Sequence, residues 1–157
     1  YSSFDLYGWK ERDSQHQKLI DLLQAHPKIS YKRSVSNDVI REELKEHHIF
    51  AYPSIWQETS CLCLIEALSG GLYCVHSSLG ALPETSMGLT QMYDFRDGIQ
   101  NHIDAFYLEL KRAILAHEKN WIGVRNSTDS VKAIADFKYD WGQRKRQWND
   151  MLKKLLT

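Results

Sequence analysis

The stretch Pro53-Ser54-Ile55-Trp56-Gln57-Glu58-Thr59-Ser60-Cys61-Leu62-Cys63-Leu64-Ile65-Glu66-Ala67-Leu68 decides how this chain is read. It follows His48-Ile49-Phe50-Ala51-Tyr52, an apolar run that reads as a strand. Pro53 ends that strand, because proline has no amide to give to a ladder. After a polar turn, 61–68 is apolar except for Glu66, which suits a buried helix. Gly70-Gly71 closes it, and Leu72-Tyr73-Cys74-Val75 reads as the next strand. Strand, helix and strand in that order require a crossover and a parallel pair.

The same alternation extends outward. Upstream, Phe4-Asp5-Leu6-Tyr7 reads as a strand closed by Gly8, and 13–25 carries Leu19, Ile20, Leu22 and Leu23 at helical spacing before Pro27. A short strand follows at 29–32. Ser36-Asn37-Asp38 offers a cap for a helix containing Val39, Ile40 and Leu44, with His47-His48 at its end, where a cation is favourable. Downstream, 76–83 reads as a loop that places His76 at a strand end, and 90–93 as a fifth strand. Beyond 97 the pattern is helical. One stripe is Ile103, Phe106, Tyr107, Leu110, Ile114 and Leu115; a second is Val131, Ile134 and Ala135. Trp141, Trp148, Met151, Leu152 and Leu155 form the last. The polar segment 120–129, with Gly123, reads as a linker. The expected fold class is α/β: a Rossmann-like, mainly parallel sheet flanked by helices, with a C-terminal helical tail. Ligands bind such sheets outside the carboxyl ends of the strands, so the segments after Tyr7, Lys32, Tyr52 and Val75 are expected to share one rim.

Bulk properties narrow the function. A chain of 157 residues with 43% hydrophobic and 25% charged residues is an ordinary globular domain. A formal net charge of zero argues against nucleic acid as a partner. The basic end, with Arg144, Lys145, Arg146, Lys153 and Lys154, reads as a solvated helix face. Peripheral contact with anionic lipid headgroups is the sharper alternative. Cys61, Cys63 and Cys74 have no zinc-ligand spacing. They read as small buried hydrophobes in a reducing cytoplasm, the expected location. No run approaches the roughly 20 apolar residues of a membrane span. The chain starts at Tyr1 without Met, so an upstream segment is expected.

The turn before the apolar helix is where chemistry concentrates. Ser60 or Thr59 is placed to cap the helix, and its first amides, unpaired within the helix, suit a phosphate. Two acids flank that point. Glu58 lies in the turn, and Glu66 lies about six residues into the helix, roughly 9 Å along its axis. That separation suits a diphosphate with a sugar at either end, each acid accepting from hydroxyls. On spacing alone the ordinary reading is the stronger: Glu66 as an acid at the edge of the core, Glu58 as a turn residue. A glycosidase pair is a further alternative, weakened by placing one acid in a turn and the other on an apolar helix. Cys61 at the helix start suggests a low thiol pKa, with no base paired to it. Trp56, two residues before Glu58, is placed to shape the site.

Pro53-Ser54, Glu58, then Glu66-Ala67 with Gly70-Gly71 and a following strand resembles the E-x7-E signature of retaining GT-B glycosyltransferases of the family 4 type. Ser77-Ser78-Leu79-Gly80-Ala81-Leu82-Pro83-Glu84 is similar to that family's glycine loop ending in Glu. Asp140-Trp141 resembles the start of its closing helix. Arg33 stands where the family pattern has a glycine, and the loop's glycine pair is reduced to Gly80-Ala81.

The resemblance implies a single donor-binding domain, 1–157, the C-terminal half of a GT-B fold. It would lack its first strand and helix, with their Arg and Lys, and the N-terminal acceptor domain. The implied partners are a nucleoside diphosphate sugar and, through the missing domain, a glycan or lipid-linked acceptor. The implied enzyme is a hexosyltransferase-type glycosyltransferase, inactive as this piece alone. Glu66 would hold the ribose, and Glu58 would sit at the donor sugar as the catalytic residue. Backbone around Thr59, Ser60, Cys61 and Leu62 would hold phosphate and sugar hydroxyls. Ser34 and Val35 would lie near the base, with His76, Gly80 and Glu84 as further loop contacts. No metal and no separate cofactor is implied, since helix amides take the leaving charge. A non-catalytic nucleotide-sugar-binding module, a nucleotide-sugar epimerase and a cysteine-dependent enzyme at Cys61 remain as alternatives.

Overall fold

Short parallel strands joined by helices form the chain, as seen in a computed structural model that describes residues 4–6, 13–95 and 98–156. The residues group into two compact units, 1–43 and 44–157. Expectations for Tyr7 and Gly8 lie outside the described residues.

In the first unit, β1 (Phe4–Leu6) pairs in parallel with β2 (Ile29–Tyr31), joined through a 3-10 turn and helix α1 (Gln17–Ala25). Ile20 is the buried residue of α1. Lys32, just past β2, lies 3.6 Å from Asp5 and 3.7 Å from Glu43. Arg33 has a φ of 60°, in the left-handed region that glycine occupies without steric cost. An arginine in this conformation carries strain that a glycine would not. Helix α2 (Asn37–Leu44) follows, its first turn closed by the Ile40 amide on the Ser36 carbonyl.

In the second unit, β3 (Ile49–Tyr52), β4 (Tyr73–Ser77) and β5 (Gln91–Tyr93) form a parallel sheet in that order. Helix α3 (Leu62–Gly70) crosses from β3 to β4, and the short α4 (Leu82–Thr85) lies between β4 and β5. Gly71 ends α3 at φ 80°, its amide bonding back to Leu68, while the Leu72 amide reaches Ala67. This is the glycine stop expected from the sequence. Leu64, Ala67 and Leu68 of α3 pack with Cys61, Leu72, Cys74, Leu82 and Ala135 into the core. Burying a leucine of this kind contributes about 1.5–3 kcal/mol. Ala135 comes from α6 (Trp121–Lys138), and Lys132 of the same helix donates to the Ser69 carbonyl. Helix α5 (Ile99–Lys119) lies along β4 and β5.

The expected α/β class, with a parallel sheet, flanking helices and a helical tail, is the one found. Several details differ. The segment 120–129 is no linker: Asn120 caps α6 by accepting from the Gly123 amide at 3.1 Å. Asparagine and glycine serve a helix start as readily as a loop. The β4 strand runs two residues further than expected, so His76 sits in the strand and not in a loop. The buried face of α5 is His102, Glu109 and Ala113, while Ile103, Tyr107 and Leu115 are exposed. Two polar groups on that face are partnered: His102 Nε2 bonds the Pro53 carbonyl and Glu109 accepts from the Gln91 amide group, while His102 Nδ1 is buried without a partner among the described residues. The helix α2 ends before His47-His48, and the His48 ring packs edge-on to Trp121. The last helix, α7 (Trp141–Leu156), buries none of its stripe; Trp141 is 85% exposed. No helix among the described residues is long and apolar enough to cross a membrane.

Candidate functional site

The carboxyl ends of β3, β4 and β5 lie along one edge of the second unit's sheet, since the strands are parallel and in register. The loops leaving β3 and β4 meet there. The Ala81 amide donates to the Glu58 carbonyl at 2.9 Å. Gly80, at φ 58°, lies flat against the same residue: a Cβ on it would stand 2.7 Å from the Glu58 carbonyl oxygen. Glycine is therefore required twice over, by conformation and by space. Ser78 anchors the loop from its far side, its amide donating to the Tyr93 carbonyl and its hydroxyl accepting from Phe95.

Glu58 is also held by its side chain. The Tyr52 hydroxyl donates to Glu58 Oε1 at 2.7 Å. Burial first, and the Glu58 contact second, push the Tyr52 pKa well above the usual phenol value, so the group is a neutral donor. Tyr52 was legible from the sequence only as the last strand residue before Pro53. A spacing of six residues to Glu58 is no regular structural period and gave no signal.

The cap of α3 differs from expectation. Cys61, not Ser60 or Thr59, occupies the N-cap position, and no side chain caps the helix. Thr59 and Ser60 are exposed in the turn. Cys61 is buried, and burial raises its thiol pKa. The Leu64 amide works the other way, as a helix start should, but is the smaller effect. Leu62, Cys63 and Glu66 lie opposite the face that carries Leu64, Ala67 and Leu68, with Leu62 and Cys63 exposed and Glu66 half-buried. Cys63 feels both acids: after burial, the charges of Glu66 and then Glu58 raise its pKa. The structure thus brings Glu58, Cys61 and Leu62 to the start of α3, with Glu66 midway along the helix and Gly80 against Glu58.

The remaining expected residues are placed as follows. His76 is fully buried in β4, its Nδ1 at 2.8 Å from the Ser77 carbonyl and its Nε2 at 2.7 Å from the Thr90 hydroxyl. A carbonyl can only accept, so Nδ1 donates and Nε2 accepts. Burial lowers its pKa. Glu84 is exposed in the first turn of α4. Ser34, exposed, and Val35, half-buried, lie between β2 and α2 in the first unit. Trp56 is exposed in the turn, its amide bonded to Ser54 Oγ. Among the described residues no group of three or more His, Cys, Asp or Glu could hold a metal ion.

With this geometry in view, comparison with known proteins is decisive on family. Residues 2–117 match the family described as Glycosyl transferases group 1. The chain belongs to that family. Curated proteins returned no match. Among solved structures, this chain is similar to the pneumococcal O-GlcNAc transferase GtfA in complex with UDP and GlcNAc, with a TM-score of 0.67 and 16% identity. That alignment covers 98% of this chain and 29% of the transferase chain. At this identity the likeness is one of fold, and the chain spans under a third of that relative's length.

Proposed function

We propose that the chain is the donor-binding part of a family 4-like, retaining GT-B glycosyltransferase. It would act on a nucleoside diphosphate sugar, with a glycan or lipid-linked acceptor held by further protein. The observation that carries this reading is the clasp of Gly80 and Ala81 on Glu58, which sets an acid beside the start of α3 at the strand ends. A parallel α/β sheet binds ligands at this edge. Helix-start amides favour a diphosphate without a basic side chain.

In this reading Glu66 accepts from the ribose hydroxyls and Glu58 from the donor sugar. The backbone from Thr59 to Leu62 takes the phosphate charge that grows as the glycosidic bond breaks. Such preorganised donors act on the transition state more than on the ground state. No metal is needed for that step. Support for the donor class comes from membership of the family and from the fold shared with a transferase solved with UDP and GlcNAc.

Calorimetry of the chain with UDP, GDP and ADP sugars, on wild type and Glu66→Ala, tests the proposal. A donor that binds wild type and is weakened about tenfold or more by the substitution is expected, as for a lost hydrogen bond to a charged group. Equal weak binding by both proteins removes it.

A further inference from the structure

We propose that Tyr52 is a positioning residue for Glu58, and that its hydroxyl gives the site its preference for a nucleotide sugar over the bare nucleotide. The inference rests on the donor-site reading above. Tyr52 is the last residue of β3, its backbone paired with His76 of β4. Its ring stacks on Phe50, with centroids 5.5 Å apart and planes 15° from parallel. The hydroxyl therefore projects from a fixed frame, and it reaches Glu58 Oε1 at 2.7 Å.

Glu58 is otherwise a turn residue with three rotatable side-chain bonds. Its main chain is fixed by Gly80 and the Ala81 amide, but those contacts leave the carboxylate free to swing. Among the described residues, Tyr52 supplies the hydrogen bond shown to that carboxylate. With Oε1 taken, Oε2 has a defined direction and its lone pairs are available to a sugar hydroxyl. Packing alone does not need the oxygen, since a phenylalanine would fill the same space against Phe50. The hydroxyl is a donor because burial and the adjacent acid keep it protonated. Its role is to aim a neighbour's carboxylate, with no contact to the donor itself.

The test uses the full chain with UDP-GlcNAc and UDP as calorimetric probes, on wild type, Tyr52→Phe, Glu58→Ala and the double variant. Circular dichroism melts confirm that each folds. Tyr52→Phe is expected to weaken UDP-GlcNAc about threefold to tenfold, the range of one hydrogen bond, and to leave UDP unchanged. In the Glu58→Ala background, where no acceptor remains for the Tyr52 hydroxyl, the same substitution is expected to add nothing, because the two residues act as one unit. Equal losses for both probes, an additive double variant, or no loss at all would overturn the role of Tyr52. If wild type binds UDP-GlcNAc, those outcomes leave the donor-site reading standing. Binding of neither probe nor of the GDP and ADP sugars by wild type overturns both. Should Tyr52→Phe fail to fold, Tyr52→Met, a flexible apolar side chain with no donor, gives the same comparison.

Discussion

Gly80 and Glu58 are in backbone contact: a Cβ added to Gly80 would lie 2.7 Å from the Glu58 carbonyl oxygen and 2.9 Å from its amide nitrogen. These are distances that real Cβ atoms do not reach, and the obstacle is main chain, which cannot rotate away. Gly80→Ala is expected to cost about 1–3 kcal/mol, from strain at φ 58° and displacement of the Glu58 turn. Chemical denaturation measures the loss. The same variant should bind sugar nucleotides more weakly than its stability loss alone explains.

His76 makes stability depend on pH. Burial lowers its folded pKa below the ordinary 6.5, so between the two values the unfolded chain binds the extra proton. Stability then rises with pH in that window. The contribution is complete above about pH 6.5 and is lost as pH falls toward the depressed value. Denaturation of wild type and His76→Gln from pH 5 to 7.5 should give curves that converge at the acid end. Parallel curves would show that folding leaves the pKa of this histidine unchanged.

At the start of α6, cap and glycine are coupled. A Cβ on Gly123 would lie 2.3 Å from Asn120 Nδ2, so Gly123→Ala displaces the cap even as it adds helix propensity. Asn120→Ala is expected to cost about 0.5–2 kcal/mol. In that background Gly123→Ala should recover up to about 1 kcal/mol, whereas in wild type the two effects offset. A double-mutant cycle by thermal melting measures the non-additivity.

The three thiols should differ in reactivity. Cys63 is exposed, and Cys61 and Cys74 are buried. Iodoacetamide should label Cys63 alone in the native protein. At pH 8 it should do so more slowly than it labels a free cysteine, because partial desolvation by the surrounding protein, with the Glu66 and Glu58 charges, raises its pKa. Mass spectrometry after timed quenching reads the order. Native labelling of Cys61 at the same rate would restore a nucleophilic role for it.

Legibility in the sequence followed the range of each interaction. The β3 strand, its end at Pro53, helix α3 and its stop at Gly71 are set by neighbours a few residues apart, and all were readable. His76 depends on Thr90, fourteen residues away and reached only once β4 and β5 pair, so a polar strand end looked like loop. Glu109 lies off the apolar stripe of its helix yet is buried, and its partner Gln91 is eighteen residues away. Asn120 and Gly123 carry the composition of a linker and the geometry of a cap. Within the candidate site, the resemblance singles out Glu58 and Glu66, whereas their spacing alone favours ordinary roles for both. Tyr52 does not stand out, because nothing in a strand-ending aromatic announces which side chain will return to its hydroxyl.

Helix α3 serves two structures at once. Leu64, Ala67 and Leu68 hold the core together, while Leu62, Cys63 and Glu66 lie on the open side of the same few turns. A ligand seated on the open side therefore clamps the core as well, and unfolding must release it. At a hundred times its dissociation constant such a ligand adds about 2.7 kcal/mol. Candidate donors can thus be ranked by the rise in melting temperature each produces, with no acceptor, no turnover and no assumption about the sugar.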